Sequence, residues 1–116
     1  MTLYKFFTVC DKTTRVLLIQ DGKRVLTASR IGQETIPFLS YSVLSITHKN
    51  QQLRISIDSE KVRQNILTDD MRVYIKDIMP LVEDGENLAV SDAFFKDREK
   101  PINNIKLSPL DILVVT

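Results

Sequence analysis

The chain has 116 residues, 43% hydrophobic and 27% charged, with a formal net charge of +1. That is ordinary globular usage, which suits one domain with one core and argues against wholesale disorder. Three glycines, one cysteine and one histidine exclude a phosphate-cradling glycine loop, a zinc knuckle, a haem-attachment pair and a disulfide framework.

Thr2 caps a helix over residues 3–10, with Leu3, Phe6, Phe7 and Cys10 on one face; a strand is the competing reading, because aromatic and β-branched residues favour one. A turn at residues 11–14 leads to an apolar strand over 15–20. Asp21-Gly22 is a hairpin signal, and residues 23–29 return antiparallel. Gly32 and Pro37 punctuate a connection. In the strand over 42–48, alternation puts Leu44, Ile46 and His48 on one side and Val43, Ser45 and Thr47 on the other. After a turn at 49–51, Leu53, Ile55 and Ile57 line one face of a fourth strand, with Arg54 and Ser56 opposite. Two successive hairpins predict a four-stranded antiparallel sheet with one buried face.

The second part of the chain reads differently. Residues 59–67 have the composition of a short helix. Thr68 or Asp69 caps another, in which Met71, Tyr74, Ile75 and Ile78 recur at helical spacing until Pro80. Asp84-Gly85 is a turn, and short strands are expected over 87–91 and 111–115. The polar stretch 92–104, interrupted by Phe94-Phe95 and Pro101, is the longest expected loop. The fold class is therefore α+β: a mainly antiparallel sheet of hairpins, with two or three short helices on one face.

No apolar run exceeds four residues (16–19 and 112–115), too few to span a bilayer. Residues 1–5 are not followed by the apolar stretch of a secretory signal. Cys10 reads as a small buried hydrophobe, so the expected setting is the reducing cytoplasm.

Charge is unevenly spread: eight Lys and Arg stand against three acids in 1–57, and eight against twelve in 58–116. Either a basic face attracts a polyanion, or two oppositely charged halves pack together. Residues 39–47 and 107–116 share a Leu-Ser followed by an apolar strand, as residues 11–21 echo 83–92. The expectation is one domain, 1–116, divisible into units 1–58 and 69–116; chance recurrence among short apolar strands explains the echo equally.

Residues 2–58 place an apolar helix before Asp11, Thr14, Arg15, Val16, Ile19, Asp21 and Gly22, then Val43, Ser45 and Ile46, and finally Leu53, Ile55 and Ile57. This order resembles a class of small uncharacterised proteins of Gram-positive bacteria and their prophages. The resemblance consists of turn and core positions and implies a fold and a mobile-element context, without implying a chemistry.

Catalytic arrangements are thin. His48 is the one imidazole, on the apolar side of its strand, and reads as packed structure. Asp69 and Asp70 are adjacent, so on a helix they diverge. Asp92, Asp97, Glu99 and Lys100 lack the Glu-x-Lys spacing of a metal nuclease, and no Ca²⁺-loop spacing is present. No catalytic residue, metal, cofactor or small-molecule substrate is assigned. The expected function is a non-catalytic module, phage or mobile-element encoded, that binds a protein partner or itself. Phe94 and Phe95, with Lys96 and Arg98, are the candidate partner-binding residues, because two adjacent aromatics in a charged loop do not both turn inward easily. Alanine at both is expected to abolish capture and spare stability. Strands 15–20 and 111–115 are candidate edges for strand addition. The alternative is a small nucleic-acid-binding protein using the basic N-terminal half: Arg15, Lys23, Arg24, Arg30, Arg54 and the ring of Tyr41, together with Lys12 and Lys49.

Overall fold

In the computed structural model, which describes all 116 residues, the elements run α1 (Leu3–Phe7), β1 (Arg15–Gln20), β2 (Lys23–Ala28), a 3-10 helix (Gln33–Phe38), β3 (Tyr41–Lys49), β4 (Gln52–Lys61), α2 (Ile75–Ile78), β5 (Leu88–Val90), α3 (Ala93–Lys96), β6 (Ile105–Leu107) and β7 (Leu113–Val115). The fold is α+β, with seven strands in two sheets and few short helices.

The two hairpins form where the turn residues require. Asp21 and Gly22 both take positive φ, as a two-residue hairpin turn demands. Asn50 and Gln51 do the same without glycine; the Asp111 carboxylate holds that turn by accepting from both backbone N–H groups at 3.1 and 3.2 Å. The hairpins do not assemble into an antiparallel sheet. The order is β2-β1-β4-β3, and β1 runs parallel to β4, from Arg15 opposite Gln52 to Gln20 opposite Ile57. The sheet is therefore mixed. Its physical reason lies in composition: β1 and β4 carry the buried Val16, Leu17, Leu18, Leu53, Ile55 and Ile57, so these two strands occupy the centre and the more polar β2 and β3 take the edges.

Alternation in β3 is broken by a bulge. Val43 pairs with Ile57 and Ser45 with Ser56, leaving Leu44 as the extra residue. Val43 thus joins Ile46 and His48 on the buried side, and Leu44 is 54% exposed, the reverse of strict alternation.

Long-range pairing also overrides local helix propensity at three places. The N-terminal helix is capped by the Thr2 hydroxyl, which accepts from the Lys5 N–H at 3.2 Å, but stops at Phe7. Cys10 instead bridges Ile105, whose N–H donates to the Val9 carbonyl at 2.7 Å. Residues 59–61 extend β4 rather than starting a helix, because Lys61 pairs with Tyr41. Between Asn65 and Asp69 the chain turns, and the Asp69 carboxylate accepts from the Asn65 N–H at 2.8 Å. Asp69 closes that turn and caps nothing. The helix expected from residue 69 is only the turn Ile75–Ile78, because Val73 is buried and its carbonyl accepts from the Ile102 N–H. The Asp77 carboxylate accepts from the Tyr74 N–H at 3.0 Å and starts α2 there.

The second sheet has the order β5-β7-β6, with β5 parallel and β6 antiparallel to β7. Strand β6, three residues long like β5 and β7, leaves no sequence signal because Lys106 interrupts its apolar residues beside the polar stretch 92–104. Both candidate edge strands turn out central: β1 lies between β2 and β4, and β7 between β5 and β6. One cluster of 20 buried residues draws on both sheets and all three α-helices, from Leu3 and Phe6 through Ile46 and Ile55 to Phe94, Ile105 and Val115. No helix is long and apolar enough to cross a membrane.

Candidate functional site

The stretch around Phe94-Phe95 is helical where a loop was expected. Ser91 starts the turn, its carbonyl accepting from the Phe94 N–H at 3.1 Å and its hydroxyl from the Ala93 N–H at 3.4 Å. Consecutive side chains on a helix point about 100° apart, so the two rings part. Phe94 is 3% exposed and joins the core, whereas Phe95 is 72% exposed.

Between α2 and α3 lies a groove of about 660 Å³. Its floor and walls are Ile75, Met79, Pro80, Val90 and Phe94, and its rim is Phe95 with the charged Lys76, Arg98 and Glu99. Pro80 ends α2 and turns Met79 outward, leaving that thioether side chain exposed. Lys76 and Glu99 approach to 3.8 Å with both side chains well exposed, a contact worth little in water. Arg98 has no carboxylate within ion-pair distance. Lys96, the last residue of α3, is exposed and stands outside the groove. Of the four partner-binding candidates, Phe94 is thus a floor residue, Phe95 and Arg98 lie at the rim, and Lys96 is apart. Sequence reasoning missed Ile75, Met79, Pro80 and Val90. Nothing in a one-dimensional pattern joins residues 75–80 to 90–99; the pairing of Val73 and Tyr74 with Pro101 and Ile102 does.

The remaining reactive groups are engaged elsewhere. The His48 side chain is 3% exposed. Its Nε2 lies 3.0 Å from the Asn87 carbonyl and 3.1 Å from the Glu86 carboxylate, and Nδ1 lies 3.4 Å from Asp111 Oδ1. The Asp97 carboxylate accepts from the Glu99 N–H at 3.1 Å. Asp70 pairs with Arg72 at 3.0 Å, and hydrogen bonds from Arg72 hold its carboxyl below the usual range. No three His, Cys, Asp or Glu side chains converge as metal ligands. Burial pushes the Cys10 thiol far above the ordinary thiol range, so little thiolate forms at neutral pH. Iodoacetamide at pH 8 is expected to label Cys10 no faster than the protein opens; labelling at the rate of a free thiol would show that residues 8–10 do not stay packed.

The basic candidates divide. Arg15, Arg24 and Arg54 fall on the face of the four-stranded sheet opposite the core, with Lys49 beside them. Lys23 pairs with Gln20 on the other parity, and Arg30 lies in the bend after β2. Tyr41 packs against the core margin, its ring 6.4 Å from that of Phe38 with the Lys61 ammonium 5.9 Å above it; it is not a free stacking platform. Phe6 and Phe7 are core.

Family models, curated proteins and solved structures offer no match to this chain. The groove is lined mainly by apolar side chains, with the Arg98 guanidinium free of any carboxylate at one end.

Proposed function

We propose that this chain is a non-catalytic protein-interaction module that takes an apolar segment of a partner protein into the groove between α2 and α3. One observation carries the reading: Phe95 is 72% exposed at the rim of a groove floored by Ile75, Met79, Val90 and Phe94. A large exposed aromatic beside a well-formed apolar cleft is the usual anatomy of a binding anchor. Arg98, unpaired at the rim, selects a partner segment with a carboxylate next to its apolar residues. The resemblance of residues 2–58 to small proteins of Gram-positive bacteria and their prophages sets the encounter in the cytoplasm of such a host, with a host or phage protein as partner.

A photo-crosslinking amino acid at position 95, tested in host lysate against the same group at the exposed Leu110, examines this directly. Crosslinking to one protein from position 95 alone is expected, abolished by Met79→Asp and weakened by Arg98→Glu. Equal crosslinking from both positions, or capture indifferent to Met79→Asp, would overturn the reading. A crosslinked dimer of the chain would identify the partner segment as belonging to a second copy.

A further inference from the structure

We propose that the outer face of the four-stranded sheet is a second binding face, which takes the phosphodiester backbone of a nucleic acid. Side chains alternate along a strand, and the register fixes which ones share this face. Its first row is Arg15, Gln52 and Lys49; its second Thr27, Leu17, Arg54 and Thr47; its third Arg24, Ile19, Ser56 and Ser45. Each of the four strands therefore contributes one cation, and no acid stands in any of the three rows. Asp58 and Glu60 continue the same side of β4 beyond the third row, and Asp21 lies in the turn after β1, so the acid-free area is confined to these three rows.

The four cations have no competing partners within the protein. None has a carboxylate within ion-pair distance. Arg15, Arg24 and Lys49 are exposed, and the Nε of Arg54 is shielded from solvent without an acceptor. Leu17 is only 3% exposed although it stands outside the core cluster; neighbours on its own face shelter it, as long basic side chains do when their stems lie over apolar surface.

The spacing suits a charged polymer. Strands about 4.8 Å apart and alternate residues about 6.7 Å apart put Lys49 and Arg54 on a diagonal of about 8 Å, and spread the four cations over about 20 Å from Arg24 to Lys49. Hydroxyls and an amide fill the positions between them (Thr27, Thr47, Ser45, Ser56, Gln52), the groups that accompany Arg and Lys at phosphates. No aromatic stands on the face, so base stacking has no platform, and recognition runs through the backbone without sequence preference. A face with one cation on each of four strands matches an extended polyanion.

The test is a fluorescence-anisotropy titration of a labelled duplex oligonucleotide against the whole chain. With up to four phosphates engaged, log affinity is expected to fall with log salt at a slope of about −3 to −4, a loss of about a hundredfold between 50 and 200 mM salt. Arg15→Gln, Arg24→Gln and Lys49→Gln, all at exposed positions, should each reduce the slope by about one, and the triple variant should leave almost no binding. Phe95→Ala should bind like the parent, which separates this face from the groove. Undetectable binding at low salt, a triple variant as tight as the parent, or equal affinity for polyglutamate or anionic lipid vesicles would each overturn the proposal.

Discussion

Phe94→Ala is expected to cost the fold about 3–5 kcal/mol, whereas Phe95→Ala shifts stability by less than about 0.5 kcal/mol. The two residues are chemically identical neighbours, so the difference is purely one of placement. Phe94 is 3% exposed and packs within the shared core, with the Lys100 ammonium 6.0 Å over its ring. Truncating it removes buried apolar area and leaves a cavity beneath a helix of a single turn, which has little hydrogen bonding of its own to hold it. Phe95 is 72% exposed, so alanine there removes mostly hydrated surface. Urea unfolding with an unchanged m-value measures both; for a chain of this size the Phe94 variant should melt at least about 10 °C lower. Equal losses at the two positions would show that Phe95 closes over the groove, and the groove would then be unavailable. The double alanine variant, expected from sequence to leave stability intact, is for the same reason a poor interaction probe. Phe95→Ala alone separates binding from folding.

The split between these two rings was half legible in the sequence. Two adjacent aromatics in a charged stretch announce that one must face water; which one does so depends on helical phase, and a four-residue helix in a polar run carries no periodic signal. The hairpins were legible because Asp21-Gly22 and the polar turn before Gln52 are local chemistry. Their parallel junction was not, since the pairing of β1 with β4 follows from a global choice of which strands to bury. Local propensity at residues 8–10, 59–61 and 71–73 pointed to helix, and in each case a backbone partner far along the chain (Ile105, Tyr41 or Ile102) drew the segment into extended pairing. The basic half of the sequence was visible as a count of charges. Its sorting onto one sheet face, with Lys23, Arg30 and Tyr41 left elsewhere, required the register, and so did the bulge that exchanges Val43 for Leu44.

His48→Ala is expected to cost about 2–4 kcal/mol, although nothing assigns the imidazole a chemical step. The residue joins the two sheets. Its backbone N–H reaches the Glu86 carboxylate at 3.3 Å, and its Nε2 has two acceptors, Asn87 O at 3.0 Å and Glu86 Oε2 at 3.1 Å. Because both neighbours can only accept, Nε2 carries the hydrogen. Nδ1 lies 3.4 Å from Asp111 Oδ1 without a hydrogen bond, while that same carboxylate holds the Asn50–Gln51 turn. Glu86 and Asp111 retain contact with water, at 20% and 33% side-chain exposure, so solvent screens the charge contribution. The main costs of truncation are the lost volume of an enclosed ring and the loss of the Nε2 hydrogen bond to the Asn87 carbonyl. The Asn87 carbonyl also accepts from the Leu113 N–H at 2.9 Å, which gives a local readout: exchange of the Leu113 amide should quicken more than that of Leu18, at the centre of the other sheet. His48→Gln keeps an N–H donor at similar reach and should recover part of the loss, which a purely space-filling role would not require. An alanine variant within about 0.5 kcal/mol of the parent, with Leu113 exchange unchanged, would mean that apolar burial alone holds the sheets together and that the imidazole is incidental to it.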